Sequence, residues 1–164
     1  RQGRVASATG PRQRASSQAL NVLLFLDANV LVAAAFSAEG NARALLHLAT
    51  HSGATVASST FAVDEAMRNL RLKAPAAESE FQILMGGITL AGGPDRRALD
   101  RAYRHGLPEK DVPILAAAIA IRANLLVTGD RRHFGPLFGR KIDGVEILAP
   151  ADAVDRLLQR LKLS

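Results

Sequence analysis

The stretch NLLVTGDRRHFG, residues 124–135, runs three large apolar residues almost directly into an acid, two arginines and a histidine. A short unbroken apolar run bounded by polar residues reads as a strand buried on both faces, as in a parallel sheet. Ending such a strand on Asp130 holds a carboxylate at the rim of the sheet. The surrounding sequence shows whether that placement is repeated elsewhere.

Just upstream, DVPILAAAIAIRA (111–123) reads as a helix opened by Asp111, with Pro113 in its first turn, where proline is tolerated. Downstream, RRHFGPLF (131–138) is a short helix at most, GVEIL (144–148) a strand, and ADAVDRLLQRLKL (151–163) a closing helix. Toward the N-terminus, NVLLFLD reads as a buried strand with apolar residues at 22–26, followed by a helical stretch over about 29–36. NARALLHLATH is a second helix with Asn41 as its cap, TVASS a short strand, and TFAVDEAMRNLRLK a longer helix. Residues 76–85 look helical, GITLA is a short strand between glycines, and PDRRALDRAYRH is a helix opened by Pro94. Strands alternate with helices throughout. That pattern predicts a three-layer α/β/α domain with a central parallel sheet of four to five strands. One domain over residues 20–164 accounts for it, with neither repeats nor a second domain.

The chain has 164 residues and is 48% hydrophobic, enough for a single core. ALNVLLFLDANVLVAAAF (19–36) superficially resembles a signal peptide or a membrane span. Asp27 and Asn29 in its middle make folded structure the expected reading. No cysteine is present, so disulfides and thiolate metal sites are excluded. A reducing compartment suits such a chain, and a cytoplasmic location is expected. The net charge is +6, and the first twenty residues hold Arg1, Arg4, Arg12 and Arg14 without an acid, which leaves +2 for the remainder. Residues 1–19 read as a flexible basic tail, equally a solvated extension or an attractor of nucleic acid.

In an open parallel sheet, ligands bind outside the carboxyl ends of the strands. Asp27 ends the first strand and Asp130 the strand of the opening stretch, so both face one crevice if their strands are neighbours. Asp111 opens the helix leading into that second strand, and Glu65 lies one turn into the helix after TVASS. Each has an ordinary structural reading: Asp27, Asp111 and Asp130 as helix caps, Glu65 as a surface acid. Their joint placement favours a site. Four like charges in one cleft repel and raise each other's pKa unless a cation neutralises them. Oxygen ligands without cysteine or an evident histidine pair suit Mg²⁺ or Mn²⁺ rather than zinc. Glu65 is separated from Asp64 by helix geometry. Asp64 shares its side with Arg68 and Arg71, whereas Glu65 lies between Phe61 and Leu72 with Asn69 one turn on, as a semi-buried acid would.

The same residues resemble the PIN-domain family of metal-dependent ribonucleases, to which the toxins of many bacterial toxin–antitoxin pairs belong. LDANVLVAAAF is similar to the family's first motif, an acid ending strand one with Asn or Thr two places later. VDEAMRNL resembles its glutamate motif, and DVPILAAAIAIRANLLVTGDRRHF its most specific block, an aspartate opening an alanine-rich helix, then a strand, then Thr-Gly-Asp. The resemblance covers residues 22 to about 150. It implies an acidic quartet at Asp27, Glu65, Asp111 and Asp130 acting as catalytic residues and metal ligands, with Asn29 and Thr128 as polar helpers. It further implies hydrolysis of RNA phosphodiesters with Mg²⁺ or Mn²⁺, a homodimer, and an antitoxin protein as partner. Arg131, Arg132 and His133 fall beside the cleft, where a phosphate backbone would pass, or on a solvated short helix with some local pairing to Asp130; the two readings are equal for the arginines, and the second is the reading for His133.

Other constellations weigh less. His47 and His51 are spaced i, i+4, but Leu48 stands where a metalloprotease motif needs glutamate. With Arg43 they form the expected polar face of their helix. GGITLAGG lacks the Lys-Ser or Lys-Thr of a phosphate loop. Arg96, Arg97, Arg101 and Arg104 could form an RNA stripe, though Asp95 and Asp100 favour an ordinary surface helix. Asp152 and Arg156 read as a surface pair on the closing helix. Two rival functions remain: a phosphate enzyme of the haloacid-dehalogenase type, against which Asn29 counts because a second aspartate is needed there, and a catalytically silent PIN-like module that binds RNA or protein.

Overall fold

The computed structural model describes residues 19–163. The basic tail read at 1–19 lies, apart from Ala19, outside the described residues. The chain begins with β1 (Leu23–Leu26), α1 (Ala28–Phe36), α2 (Asn41–Ser52), β2 (Thr55–Ser59) and α3 (Thr60–Lys73). After a single 3₁₀ turn come α4 (Glu78–Met85), β3 (Thr89–Ala91), α5 (Arg96–Tyr103), α6 (Val112–Ala120) and β4 (Leu125–Val127). It closes with α7 (Arg131–Phe134), a second 3₁₀ turn, β5 (Lys141–Ile142), β6 (Val145–Leu148) and α8 (Pro150–Leu163).

Among the described residues the sheet has six strands, in the order β3-β2-β1-β4-β6-β5. Five are parallel and were anticipated. The sixth, β5, pairs antiparallel with β6, so the expected count of four to five is corrected to six. The turn joining β5 to β6 is Asp143-Gly144, with φ of 48° and 87°. Positive φ at both central positions is the tight hairpin geometry that Asp-Gly favours. A two-residue strand carries no periodicity, so only that dipeptide betrays it in the sequence.

Strand order places the candidate site. The chain lays β2 and β3 on one side of β1, then returns to place β4 on the other. Right-handed crossovers taken in opposite directions put helices on opposite faces, giving the three layers. The reversal lies between β1 and β4, whose register is Leu24↔Leu125, Phe25↔Leu126 and Leu26↔Val127. Leu24, Phe25, Leu26, Leu125, Leu126 and Val127 are fully buried, as runs covered on both faces should be. From Val112 to Ile119 every residue of α6 except Pro113 is buried, so this alanine-rich helix packs close with no solvated stripe.

Helix starts differ from expectation in two places. Gly40, not Asn41, holds the cap position of α2, and its lack of a side chain leaves that end uncapped. Asp95 caps α5 through a 2.8 Å bond from the Ala98 N–H, so the helix opens after Pro94 rather than on it. Two surface readings are also corrected. Arg43 is buried, donating to the Ala34 carbonyl and pairing with Glu80, instead of joining His47 on a solvated face. Arg156 grips both carboxylate oxygens of Glu146, at 2.7 and 2.8 Å, rather than Asp152.

Leu126→Ala removes a side chain enclosed on both faces and should lower stability by about 3 kcal/mol. Leu72→Ala, at a position 82% exposed, should change it by less than about 0.5 kcal/mol. Urea midpoints at constant slope test the contrast; equal shifts would mean that β4 is not the core strand described.

Candidate active site at the strand reversal

Asp27 follows β1 directly, and its backbone N–H still donates to the Val127 carbonyl at 3.0 Å, continuing the ladder. Its side chain is 5% exposed. A carboxylate so buried needs donors, and it has three. Oδ1 accepts from the Ala28 N–H at 2.7 Å, capping α1, while Oδ2 accepts from the Thr128 hydroxyl at 2.8 Å and the Asn29 amide at 3.1 Å. Burial nevertheless raises the Asp27 pKa. The bonds from Thr128 and Ala28 pull it down, and the charges of Glu65 and Asp111 push it up again.

Thr128 and Asn29 join the two strand ends. The Thr128 hydroxyl is itself a hydrogen-bond acceptor for the Asn29 amide at 3.2 Å and for the Asp130 N–H at 3.1 Å. Asn29 Oδ1 in turn accepts from the Gly129 N–H at 2.7 Å. A Cβ on Gly129 would lie 3.2 Å from that oxygen. Glycine stands here for close approach; its φ is not positive.

Asp130 caps α7 through Oδ1, which accepts from the His133 N–H at 3.0 Å. Asp111 holds the cap position of α6 but makes no capping bond. Its Oδ2 lies 2.9 Å from His133 Nδ1, and Asp130 Oδ2 lies 2.9 Å from the same nitrogen. Neither contact has hydrogen-bond geometry, so Asp111 Oδ2 and His133 Nδ1 are both buried without a hydrogen-bond partner among the described residues. Burial raises the Asp111 pKa, with His133 and Lys110 pulling it down and the Asp130 charge pushing it up.

The four expected acids therefore do not form one tight knot. Ligand atoms of Asp111, Asp130 and His133 lie within 4.8 Å of one another, the one such group among the described residues. Asp27 and Glu65 stand outside that group, while the Asp27 carboxylate feels the charges of both Glu65 and Asp111. Glu65 is half-buried and Asp64 exposed, as expected. The proposed cause was wrong, because Phe61 and Leu72 are themselves 45% and 82% exposed. Arg131 and Arg132 are exposed on α7 and make no ion pair among the described residues. Sequence reasoning allows His133 a local pairing with Asp130, as their spacing of three on one helix face suggests, but not its contact with Asp111. The arginines of α5 lie elsewhere. Arg101 and Arg104 line an open cleft of about 510 Å³ with Arg140, Lys141 and Asp143, beside the β5–β6 turn.

The donors fit a hard divalent cation. Carboxylate oxygens dominate, two neighbouring ligand atoms are buried without partners, and burial disfavours the ionised acids when no cation is near.

A family model described as PIN domain matches residues 23–132. Among solved structures, PAE2754 from Pyrobaculum aerophilum is similar at 20% identity and TM-score 0.61, covering 86% of this chain and 98% of that one. VapBC2 from Rickettsia felis, solved bound to a DNA fragment from its promoter, is similar at 18% identity and TM-score 0.59, covering 78% and 98%. VapBC-1 from nontypeable Haemophilus influenzae is similar at 10% identity and TM-score 0.55, covering 79% and 98%. At these identities the likeness is one of fold. No curated protein matches.

Thr128→Val keeps the shape of a fully buried side chain and removes a donor to Asp27. It should cost about 2 kcal/mol at neutral pH in metal-free protein. Because Asp27 titrates above its unfolded value, its stabilising contribution is fully present below the unfolded pKa and is lost as pH rises through the folded one. The substitution raises the folded pKa further, so its cost should shrink as pH falls from 7 toward 4. Urea unfolding at several pH values measures it, and a pH-independent cost would contradict the assignment.

Proposed function

The chain belongs to the PIN-domain family, and on that premise we propose that it is a metal-dependent endoribonuclease, the toxin member of a toxin–antitoxin pair. The observation that carries this reading is the convergence of Asp27, Asp111 and Asp130 on the strand reversal, with Glu65 close enough to perturb Asp27.

Asp111 and Asp130 would hold Mg²⁺ or Mn²⁺, with Asp27 and Glu65 completing the acidic environment. A divalent ion held there supplies Lewis acidity toward the phosphate and makes water a competent nucleophile at neutral pH. The protein groups have separate tasks. Asp27, gripped by Thr128, Asn29 and the Ala28 N–H, is fixed in place and fit to orient rather than to move protons. Glu65 has no hydrogen bond or ion pair among the described residues, so its carboxylate is free to take the proton of the attacking water. Asn29 and Thr128 keep the ends of β1 and β4 in register, which fixes the distance between Asp27 and Asp130. Arg131 and Arg132, exposed one and two residues beyond Asp130, would contact the phosphate backbone of the RNA.

In this reading the nuclease domain occupies residues 20–164, with the basic stretch 1–19 an extension of it. The partners are RNA, a second copy of the chain, and an antitoxin protein; two of the similar solved structures bear the name VapBC. No helix among the described residues is long and apolar enough to cross a membrane, which suits a cytoplasmic enzyme.

Cleavage of labelled RNA with and without Mg²⁺ or Mn²⁺ tests the proposal. Asp130→Asn should lower the rate by about a hundredfold or more and leave the fold intact, because asparagine can still cap α7. Wild-type cleavage by that variant would remove Asp130 from the mechanism. Glu65→Gln should impair cleavage far more than Asp64→Asn, and equal losses would sink the choice of base. Metal-independent binding of RNA without cleavage by the wild-type chain would favour a silent binding module.

A further inference from the structure

We propose that His133 is a metal ligand, completing with Asp111 and Asp130 a nitrogen-and-oxygen site that prefers a first-row transition ion such as Mn²⁺ over Mg²⁺. This rests on reading the site as metal-binding, and does not depend on what it cleaves.

The argument begins with two equal distances. His133 Nδ1 lies 2.9 Å from Asp111 Oδ2 and 2.9 Å from Asp130 Oδ2. Donors in adjacent positions of an octahedral shell with bonds of about 2.1 Å stand about 3.0 Å apart. A charge-assisted hydrogen bond has the same length, so distance alone does not choose between them. Direction does. An imidazolium neutralising two carboxylates would aim its N–H along the line to an oxygen. Among the described residues Nδ1 has no hydrogen bond of acceptable geometry, and neither has Asp111 Oδ2, although both atoms are buried from solvent. Two buried ligand atoms in contact, neither satisfied by the other, suit a cation shared between them.

Local structure fixes this arrangement. Asp130 and His133 are spaced i, i+3 in the first turn of α7, on one face of the helix. The capping bond from the His133 N–H to Asp130 Oδ1 at 3.0 Å holds the turn and leaves Oδ2 of Asp130 on the side of the ring. Asp111 arrives from the start of α6, a different element, and its carboxylate is not occupied in capping. Two ligands from one helical turn and a third from a neighbouring element make a preorganised site. Arg131 and Arg132, in the same turn, are exposed.

The chemistry of the donor then sets the preference. Mg²⁺ is hard, bound by oxygen and water, and gains little from imidazole. First-row transition ions bind imidazole nitrogen more readily, and affinity at mixed sites rises from Mn²⁺ across the series toward copper. One nitrogen among oxygens should therefore separate Mn²⁺ from Mg²⁺, where an all-carboxylate site would hardly do so.

The test uses the full chain with Mn²⁺ alone, then Mg²⁺ as competitor, without RNA. Pulsed electron paramagnetic resonance of the Mn²⁺-loaded protein should show coupling to a directly bound ¹⁴N nucleus. His133→Ala should abolish that coupling and weaken Mn²⁺ binding by about tenfold or more, with Mg²⁺ affinity changed less. His133→Asp should restore Mn²⁺ binding without nitrogen coupling and bring the two ions closer in affinity. Circular dichroism and urea unfolding of the metal-free variants check that the fold survives. Were His133 only a counter-cation to the acids, its removal would leave Mn²⁺ binding unchanged or tighten it, and no nitrogen coupling would appear. Either result overturns the proposal, as does failure of the wild-type chain to bind Mn²⁺ at millimolar concentration. The outcomes are separable from the nuclease reading. Nitrogen coupling without RNA cleavage keeps the ligand and loses the enzyme, while metal-dependent cleavage without nitrogen coupling does the reverse.

Discussion

Two parallel strands, β1 and β4, end side by side at the point where the sheet reverses its winding, with Leu26 opposite Val127. The next residue on each strand, Asp27 and Thr128, therefore meets its neighbour, and the hydroxyl donates to the carboxylate at 2.8 Å. That bond lies at the edge of a core in which neither side chain reaches bulk water. A buried carboxylate without donors would cost several kcal/mol or take up a proton. Residues around it are accordingly committed to donation: the Thr128 hydroxyl, the Asn29 amide and the Ala28 N–H. The commitment propagates. Asn29, having turned its amide toward Asp27 and Thr128, presents its oxygen to the Gly129 N–H. A side chain at Gly129 would crowd that oxygen.

Capping and site formation turn out to be one arrangement. In Asp27 and Asp130 one oxygen caps the following helix while the other makes a tertiary contact, with Thr128 and Asn29 in the first case and with His133 in the second. The capping bond immobilises the side chain, and immobility is what a functional carboxylate needs. Cap and candidate site, weighed against each other in the sequence, are compatible in these two residues, since capping occupies one oxygen and leaves the other for tertiary contacts.

Much of this was legible because strong local signals agreed with the fold. The alternation of apolar runs and helical periods revealed five of the strands, and the rule that ligands lie at the carboxyl ends of a parallel sheet turned the strand-ending acids Asp27 and Asp130 into candidates. What escaped notice was tertiary or very short. Arg156 reaches Glu146 on β6 rather than the acid four residues before it in its own helix, a partner that no helical periodicity could suggest. The β5–β6 hairpin rests on two residues and an Asp-Gly turn. Glu65 was chosen on the apolar character of Phe61 and Leu72, yet both are exposed. Its half-burial does not come from those two neighbours. His133 reads in the sequence as part of a solvated short helix with local pairing to Asp130; its contact with Asp111 needs the fold to bring the start of α6 beside α7.

Asp111 shows most clearly which demand the site obeys. Aspartate is among the best residues for a helix N-cap, and a cap is worth about 1 kcal/mol. At the start of α6 the residue stands in the cap position and makes no such bond. Pro113 softens the loss, since proline in the first turn has no N–H to satisfy. The carboxylate instead faces His133 and Asp130 with a buried oxygen unsatisfied, and burial pushes its pKa up. A sequence shaped for stability alone would cap the helix with this side chain or place an apolar one in the cleft. Departure from a local rule at one point of an otherwise consistent fold marks that point as a candidate site. The cost is bearable because Asp111 sits directly ahead of the most completely buried helix in the domain, where Ala116, Ala117 and Ala118 are wholly enclosed. The packing of α6 fixes its first turn without help from a cap, which leaves the Asp111 side chain free for the cleft.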